Sequence, residues 1–309
     1  MIIKLFLITL LLVFGIQTAT AFEKKTVGLW SLMLWFNDGE YRPWEMYVRY
    51  FPVDGVYNSY DIAHIDKLIN SADDLGVDYL ILDNTNGAFR HDGRFNKTIE
   101  LVAERIKFHK SQLKISIAIG YGIYEKKDFQ YHLKEIDYIK KYFNDDSYYH
   151  VNGKPLLIFY INPQDLITNI TKDPKFQKYI SKNDGYGYRN FFTQYTVRYA
   201  SGADDWLYDS FGLYGWKFGL NKKSFSTVGV MPGWNRSHNE LTGSTPTERE
   251  DGKFFIKSWE AALSKRPNNI VITSWDDFAE ETFIAPTLEY GNLYFDISKK
   301  YIKIFKETN

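Results

Sequence analysis

The sequence predicts an α/β fold and, within that class, a single-domain (β/α)₈ TIM barrel. Short apolar runs of strand length alternate with amphipathic stretches of helix length, which is typical of consecutive βαβ units around a parallel sheet. Eight such runs fit into one chain of 309 residues without a Pro/Gly/Ser-rich linker, and a closed barrel of this kind needs eight strands in about 250 residues. The sixth run is the least regular, so an open doubly wound sheet is the alternative.

The first strand and the first helix are predicted from the residues that start and stop them. The strand covers residues 27–34. Asp61 is a suitable N-cap for the helix that follows, and Gly76 is expected to end it, because glycine readily adopts the left-handed backbone found after a helix. Between these two residues, apolar side chains recur at helical spacing: Ile62, Ile65, Leu68, Ile69 and Ala72.

The later elements follow the same alternation. Asp83 closes the second predicted strand, residues 77–82, and an Asn-Gly turn at residues 152–153 introduces the fourth. The remaining predicted strands are residues 115–119, 155–160, 191–197, 206–211, 227–231 and 269–274. The remaining predicted helices are residues 96–110, 128–143, 250–264 and 295–305.

Residues 1–21 are predicted to be a signal peptide, which leaves residues 22–309 as the barrel. Lys4 gives a positive start, residues 5–16 are almost wholly apolar, and Ala19-Thr20-Ala21 matches a small-residue cleavage site. The alternative is an uncleaved N-terminal anchor. No later run reaches the roughly 18 apolar residues of a membrane span, so we expect a secreted or periplasmic protein that makes no membrane contact after cleavage.

Charge and residue counts exclude several classes of partner. Without the leader, whose charged residue is Lys4, 37 of the 38 basic side chains and all 38 acidic ones remain, a net charge of −1. This balance argues against nucleic acid, whose binding needs many phosphate-neutralising Lys and Arg side chains. The chain has no cysteine, its six histidines are scattered, and Gly120-Tyr121-Gly122 lacks the third glycine of a dinucleotide loop. Neither a metal nor a cofactor is therefore predicted, and no pattern indicates an oligomeric state.

The predicted strand ends carry a mixture of Trp, Tyr, Asn, Arg and carboxylate side chains. In (β/α)₈ barrels the working residues lie at the carboxyl ends of the strands, and a sugar needs aromatic faces together with polar groups for its hydroxyls. With 18% aromatic residues, part of that content must serve core packing, and Asp83-Asn84 also suits a turn or a helix cap. The residues predicted to contact a carbohydrate are Trp30, Trp35, Asp83, Asn84, Tyr121, Tyr160, Arg198, Trp234, Trp275 and Asp276.

Four carboxylates follow the last predicted strand: Asp276, Asp277, Glu280 and Glu281. Asp277 and Glu280 are three positions apart, so one helical turn would place both on the same face of a cleft. Two carboxyl groups in one pocket push their pKa values apart and give one acid and one base, the division of labour that glycoside hydrolysis uses. The alternative is a solvated N-cap cluster, in which an Asp caps a helix and a Glu interacts with its dipole.

Two segments resemble motifs of glycoside hydrolase family 99 and of the related family 71 and WbsX-like proteins. Residues 151–160, Val-Asn-Gly-Lys-Pro-Leu-Leu-Ile-Phe-Tyr, are similar to an element that leads into a strand of that barrel. Residues 272–282, Ile-Thr-Ser-Trp-Asp-Asp-Phe-Ala-Glu-Glu-Thr, resemble the acidic element of the same group, and residues 76–78 and 231–234 are similar to further elements. The resemblance implies an endo-acting glycosidase barrel. In family 99 the two acidic residues of that element act on α-mannoside linkages, and by position they fall on Asp277 and Glu280.

The acidic element departs from the family pattern at four positions: Asp276, Asp277, Phe278 and Glu281 stand where the family has Asn, Glu, Trp and Gly. Asp277 is one methylene shorter than glutamate, and a misplacement of about 1 Å can lower a rate by ~100-fold. The mechanism and the mannose specificity of the family are therefore not carried over with the fold.

Three functions are compatible with these residues. The leading hypothesis is a secreted glycoside hydrolase acting on poly- or oligosaccharides, endo-mannosidase-like, in which Glu280 is the acid that protonates the leaving oxygen and Asp277 is its partner. The second is a non-catalytic glycan-binding barrel. The third is an enzyme of another class on the same fold, such as a polysaccharide lyase or a sugar-modifying esterase, because a fold alone does not fix a reaction.

Overall fold

The computed structural model describes residues 24–33, 35, 44, 48–85, 94–120, 129–151, 153–160, 196–200, 227–236 and 246–308. For residues 94, 120, 129–133, 159–160 and 196–200 it describes the backbone alone. The predicted leader at residues 1–21, the predicted strand at 206–211 and Tyr121 lie outside the described residues.

The described chain alternates strands and helices, as the sequence predicts. In order, the elements are β1 (Thr26–Ser31), α1 (Ile62–Leu75), β2 (Tyr79–Asn84), α2 (Arg94–His109), β3 (Lys114–Gly120), α3 (Phe129–Ile139), β4 (His150–Val151), β5 (Lys154–Tyr160), β6 (Thr196–Ala200), β7 (Thr227–Val230), α4 (Lys253–Ser264), β8 (Asn269–Ile272) and α5 (Leu293–Glu307). The helix predicted over residues 128–143 ends at Ile139 and continues as a 3₁₀ turn, Lys140–Tyr142. Within these ranges no helix has the length and apolar character to cross a membrane.

The strands form one mainly parallel sheet in the order β6-β5-β3-β2-β1-β8-β7. The exception is β4, which pairs antiparallel with β5 across a turn in which Gly153 has a φ of 76°. β1 lies between β2 and β8, so the first and last strands of the described chain are neighbours. The α/β class is confirmed, and β6 and β7 are the two edges of the sheet among the described residues.

The described strands differ from their predicted bounds by one to five residues at an end, and hydrogen bonding explains where β1 ends. β1 ends at Ser31 because the backbone N–H of Leu32 donates to the side chain of Asp276 rather than to a neighbouring strand. β8 ends at Ile272 instead of residue 274. The strand predicted over residues 191–197 is β6, which pairs with β5 from Thr196 onward. Arg198 therefore lies in the middle of a strand, and its predicted place after the strand end is wrong.

Helix α1 shows how local sequence fixes both ends of an element. Gly76 is the C-cap, with a left-handed φ of 79°, as predicted. Asp61 stands at the N-cap, but its carboxylate accepts the backbone N–H of Asn58 and makes no cap bond to the helix. The predicted apolar positions are buried except the first, Ile62, which is exposed.

A layer of polar side chains fills the sheet interior at the amino ends of the strands. The hydroxyls of Thr26 and Tyr79 both donate to Asn269 Oδ1, at 2.9 and 3.0 Å. Gly28 makes room for Tyr79, because a Cβ atom there would lie 2.6 Å from the ring carbon Cζ. A cavity of about 780 Å³ opens at this edge and is lined by the first residues of β1 and β8, among others. In this class of fold the functional residues lie at the carboxyl ends of the strands. We therefore expect the candidate site at the edge of the sheet opposite this cavity.

Candidate active site

The acidic loop, residues 273–284, follows β8 at the carboxyl edge of the sheet. It closes on itself, because the backbone N–H of Ser274 donates to the Thr282 carbonyl at 2.8 Å and that of Ile284 donates to the Ser274 carbonyl at 2.9 Å. The Thr273 N–H donates to the carbonyl of Val230 at the end of β7, which ties the loop to the neighbouring strand. All four carboxylates predicted from the sequence lie in this loop.

The Asp277 side chain stabilises a turn and does not lie on a helix. Its backbone N–H donates to Ser274 Oγ, and its Oδ1 accepts the backbone N–H of Glu280, both at 2.9 Å. The residues form bends and turns, so the predicted helical turn between Asp277 and Glu280 is wrong. Local side-chain bonds to the backbone take the place of helical bonds here. Asp277 is 9% exposed and caps this turn, so the solvated helix N-cap that the sequence left as an alternative is not found here either.

Glu280 is the most accessible of these carboxylates and lies between two donors from the chain after β7. Its side chain is 30% exposed. Oε2 accepts the indole N–H of Trp234 at 3.2 Å, and Oε1 lies 3.0 Å from Nη1 of Arg236. Its backbone carbonyl accepts the N–H of Asn235 at 2.9 Å. The predicted proximity of Trp234 to the acidic loop is thus found. Arg236 follows Trp234 by two positions at the same strand end, but it was not among the residues predicted to contact a carbohydrate.

Asp276 points into the protein and not into a cleft. It is 0% exposed, and its Oδ1 accepts the Leu32 N–H at 2.7 Å and the Ser31 hydroxyl at 3.3 Å. Its Oδ2 accepts the hydroxyl of Tyr57 at 3.4 Å. Burial, which outweighs these hydrogen bonds, raises the pKa of Asp276 to about 6. The predicted contact of Asp276 with a sugar hydroxyl is wrong, because its oxygens are engaged with β1 and with Tyr57.

Asp83, at the end of β2, links the neighbouring carboxylates. Its Oδ1 accepts the backbone N–H and the hydroxyl of Thr85, at 2.8 and 2.7 Å, and its Oδ2 accepts the indole N–H of Trp30 at 2.8 Å. Burial raises its pKa, and the nearby charge of Glu280 adds to the rise. Asp83 in turn raises the pKa of Asp276. Asp83, Asp276 and Glu280 are therefore close enough to interact electrostatically, and we call them the acidic cluster.

The predicted stacking tryptophans separate into two groups. Trp30 and Trp234 border the acidic cluster and donate to its carboxylates. Trp35 is 0% exposed and stacks on Trp44 with ring centroids 4.3 Å apart. Trp275 is 3% exposed and packs edge-on against the ring of Phe295. The predicted sugar stacking of Trp35 and Trp275 is wrong, because both rings close the core around the acidic loop.

The other predicted contact residues are spread more widely. Asn84 follows Asp83 directly, and alternation along a strand places it on the opposite face of the sheet. Its amide is buried, and neither polar atom has a hydrogen-bond partner among the residues that the structure describes. Tyr160 ends β5, where it pairs with Gly120 and Ala200, so it reaches the same edge as the acidic loop. Tyr121 lies outside the described residues. In the part of the chain that the structure covers, no group of three acidic or His side chains is arranged to hold a metal ion.

No protein-family model and no curated protein matches the sequence. Among solved structures, the GH99 endo-α-mannosidase from Bacteroides thetaiotaomicron superposes with a TM-score of 0.66 at 17% identity, over 92% of this chain and 98% of that one. The chain has the fold of this GH99 enzyme. The same bacterial enzyme in complex with BIS-TRIS-propane gives a TM-score of 0.66 at 19% identity, over 91% and 97% of the two chains.

A third solved structure is similar over nearly its whole length. It is a glycoside hydrolase-like protein, with a TM-score of 0.63 at 14% identity, over 90% of this chain and 94% of that one. The family resemblance stated from residues 151–160 and 272–282 is confirmed at the level of the fold. Because the GH99 likeness extends over nearly the whole of each chain, it concerns the entire domain and not one motif.

Proposed function

We propose that this protein is a glycoside hydrolase that cleaves poly- or oligosaccharides in an endo-mannosidase-like manner, with Asp277 and Glu280 as its acid/base pair. The observation that carries the proposal is the setting of Glu280. This carboxylate is partly exposed at the carboxyl edge of the sheet and lies between an indole and a guanidinium. The similarity of fold to an enzyme described as an endo-α-mannosidase supports the same reaction class.

The surroundings of Glu280 fit the chemistry of glycosidic cleavage. Hydrolysis of a glycoside needs two carboxyl groups, one to give a proton and one to accept a proton or bond the sugar. It also develops positive charge on the sugar ring, which a carboxylate beside the ring stabilises. Trp30 and Trp234 are 5% and 8% exposed, so they act here mainly through the indole N–H groups that they donate to Asp83 and Glu280.

We further propose that residues 22–309 form one closed (β/α)₈ barrel. In this arrangement the strand predicted over residues 206–211 pairs with the edges β6 and β7 and completes the ring. The pairing of β1 with β8 supports closure, because a closed barrel requires the first and last strands to be neighbours. Site-directed spin labels on β6 and β7 test this. A separation of two strand spacings, about 10 Å between the backbones, fits one intervening strand, whereas a larger separation contradicts closure.

Export of the protein is also proposed, with cleavage after Ala21. N-terminal sequencing of protein recovered from the medium or the periplasm tests it. A chain that starts at Phe22 supports the signal peptide, whereas a chain that retains residues 1–21 and stays in a membrane fraction supports an uncleaved anchor.

Incubation with α-mannan, α-glucan and mixed oligosaccharides, followed by mass spectrometry of the products, tests the catalytic proposal. We expect shorter oligosaccharides from the wild type and none from Glu280→Gln or Asp277→Asn. Glu289→Gln is the matched control, because Glu289 is an exposed carboxylate in the same region of the chain. Product formation that is unchanged in Glu280→Gln would remove this residue from the reaction.

Glycan binding without cleavage is the second candidate function, and the position of Asp277 favours it. The Asp277 carboxylate is nearly buried and accepts the backbone N–H of Glu280. Asp277 then stabilises the loop, and the loop serves as a surface that binds a glycan without cleaving it. If so, glycan affinity should survive in Asp277→Ala and Glu280→Ala variants, and the wild type should release no product from any glycan it binds.

A further inference from the structure

The cavity at the amino edge of the sheet has no part in the proposed reaction, which takes place at the carboxyl edge. Its volume of about 780 Å³ falls within the range of roughly 300–1,000 Å³ that is usual for ligand sites. Its lining includes the start of β1, the segment before β5 and the start of β8. The cavity is therefore built from segments far apart in the sequence, and it is large enough to hold a small ligand.

Tyr149 lines this cavity with an aromatic ring that is already fixed in place. The ring stacks on Tyr79, with centroids 4.1 Å apart and planes inclined by 12°. The Tyr149 N–H donates to the Ile115 carbonyl at 2.7 Å, and the Tyr149 carbonyl accepts the Leu156 N–H at 2.9 Å, so β3 and β5 hold its backbone. Tyr149 is only partly buried. A ligand that packs on this ring therefore meets a surface that loses little freedom on binding.

Side chains that can bind hydroxyl groups surround the Tyr149 ring. Asn268 and His150 are exposed and line the cavity. Buried Asn269 lines it as well, and its amide is held in one orientation because Thr26 and Tyr79 both donate to Oδ1. An amide offers N–H donors and a carbonyl acceptor, and a sugar hydroxyl can both donate and accept. An aromatic ring beside such groups is the combination that a sugar needs.

The charge of the lining indicates which sugars fit. Among the lining side chains that the structure describes, carboxylates outnumber lysines: Asp73, Asp78, Asp145 and Asp146 against Lys24 and Lys114. A ligand with a sulfate or phosphate ester would be repelled by this excess of negative charge. A neutral oligosaccharide meets no such repulsion, and carboxylates accept hydrogen bonds from its hydroxyl groups.

We propose that this cavity is a second carbohydrate site, which binds a neutral oligosaccharide without cleaving it and uses Tyr149 as its stacking surface. The site opens at the edge of the sheet opposite Glu280, so a glycan bound there does not reach the residues of the proposed reaction. The inference goes beyond the proposed function and does not depend on it, because binding at this edge needs no cleavage.

An NMR titration of the full chain locates the site. The isotope-labelled Glu280→Gln protein is titrated with neutral α-manno- and α-gluco-oligosaccharides, because this variant is expected not to consume the ligand. We expect shift changes in the amide signals of residues 144–150 and 268–269, and none in these residues with a sulfated oligosaccharide of the same length. The inference is overturned if the changes are confined to residues around Glu280, if none occurs at ~10 mM sugar, where even a weak site is filled, or if the sulfated ligand binds more tightly.

Substitutions in the lining test the role of individual side chains in the same titration. Tyr149→Ala should weaken binding at this site by ~10-fold, and Tyr149→Phe, which keeps the ring, by less than about 3-fold. Asn268→Ala should weaken it by about 3- to 10-fold through the loss of a hydrogen bond. Asn70→Ala is the matched control, because Asn70 is an exposed asparagine of α1 outside the cavity lining.

The outcomes separate this inference from the proposed function. Urea unfolding shows whether Tyr149→Ala still folds, and if it does not, the comparison of Asn268→Ala with Asn70→Ala decides the question. Affinity that is unchanged in the lining variants overturns the second site, whatever the catalytic assay gives. A wild type that cleaves no glycan but shows these shift changes overturns the proposed function and leaves the second site in place.

Discussion

Replacing Asp276 by asparagine is expected to stabilise the protein above pH 6. Burial raises the pKa of this carboxyl from an ordinary 3.8 to about 6. Between these values the unfolded chain has lost the proton and the folded chain still holds it, so stability falls as the pH rises through this window. A difference of about two pKa units corresponds to roughly 3 kcal/mol, at 1.36 kcal/mol per unit. Asparagine carries no titrating proton and so escapes this loss.

The geometry allows the substitution without loss of contacts. The side-chain oxygen of Asn still accepts from the Leu32 N–H and the Ser31 hydroxyl, and its amide donates to the Tyr57 oxygen, which now accepts. Urea unfolding at pH 4 and pH 7.5 measures the effect. The wild type should lose about 2 kcal/mol of unfolding free energy between the two conditions relative to Asp276→Asn, because the unfolded carboxyl is already partly ionised at pH 4. Asp146→Asn is the control, because Asp146 is exposed. Parallel pH profiles for the wild type and Asp276→Asn would refute the reasoning.

Three further predictions concern other buried groups. Gly28→Ala should destabilise the protein by about 1–3 kcal/mol in urea unfolding, because the new Cβ meets the Tyr79 ring at 2.6 Å; an unchanged midpoint would show that the ring moves freely. Arg249→Met should cost about 3 kcal/mol, with Arg249→Lys intermediate, because two carbonyl groups of the acidic loop lose the guanidinium that binds them at 2.5 and 2.8 Å. The His64 imidazole should stay neutral down to pH 5 in an NMR titration, since burial lowers its pKa to about 3; a midpoint near 6.5 would contradict its burial.

The sequence predicts elements best where the signal is local. The apolar spacing of α1 and the glycine that ends it lie within one stretch of chain, and both agree with the structure. The end of β1 could not be read locally, because it depends on a bond between Leu32 and Asp276, which are 244 positions apart. The same holds for Asp61, whose side chain binds the backbone before the helix instead of capping it. The spacing of apolar residues along a sequence indicates which face of a helix or strand is buried. It does not predict single hydrogen bonds between distant residues.

Some of the residues predicted for the candidate site lie together at the carboxyl edge of the sheet, and others do not. Glu280, Asp83 and Trp234 meet because strand ends of a parallel sheet share one edge, which the order of elements already implies. Trp35 and Trp275 are also adjacent to strand ends, but their burial depends on aromatic neighbours from other segments. Residue type alone does not distinguish a ring that faces a ligand from one that closes the core.

The four carboxylates of the acidic loop have different partners, and these partners show what each carboxylate does. Asp276 binds the end of β1, Asp277 binds the backbone of the loop itself, and buried Glu281 pairs with Arg49 at 2.5 Å. Each of these acids fastens the loop in a different direction, and each is largely withdrawn from solvent in doing so. Glu280 alone among the four keeps substantial exposure while two donors hold its carboxylate. Asp276 and Glu281 are therefore structural attachments, whereas Asp277 fastens the loop directly beside Glu280, the exposed carboxylate with which it forms the proposed pair.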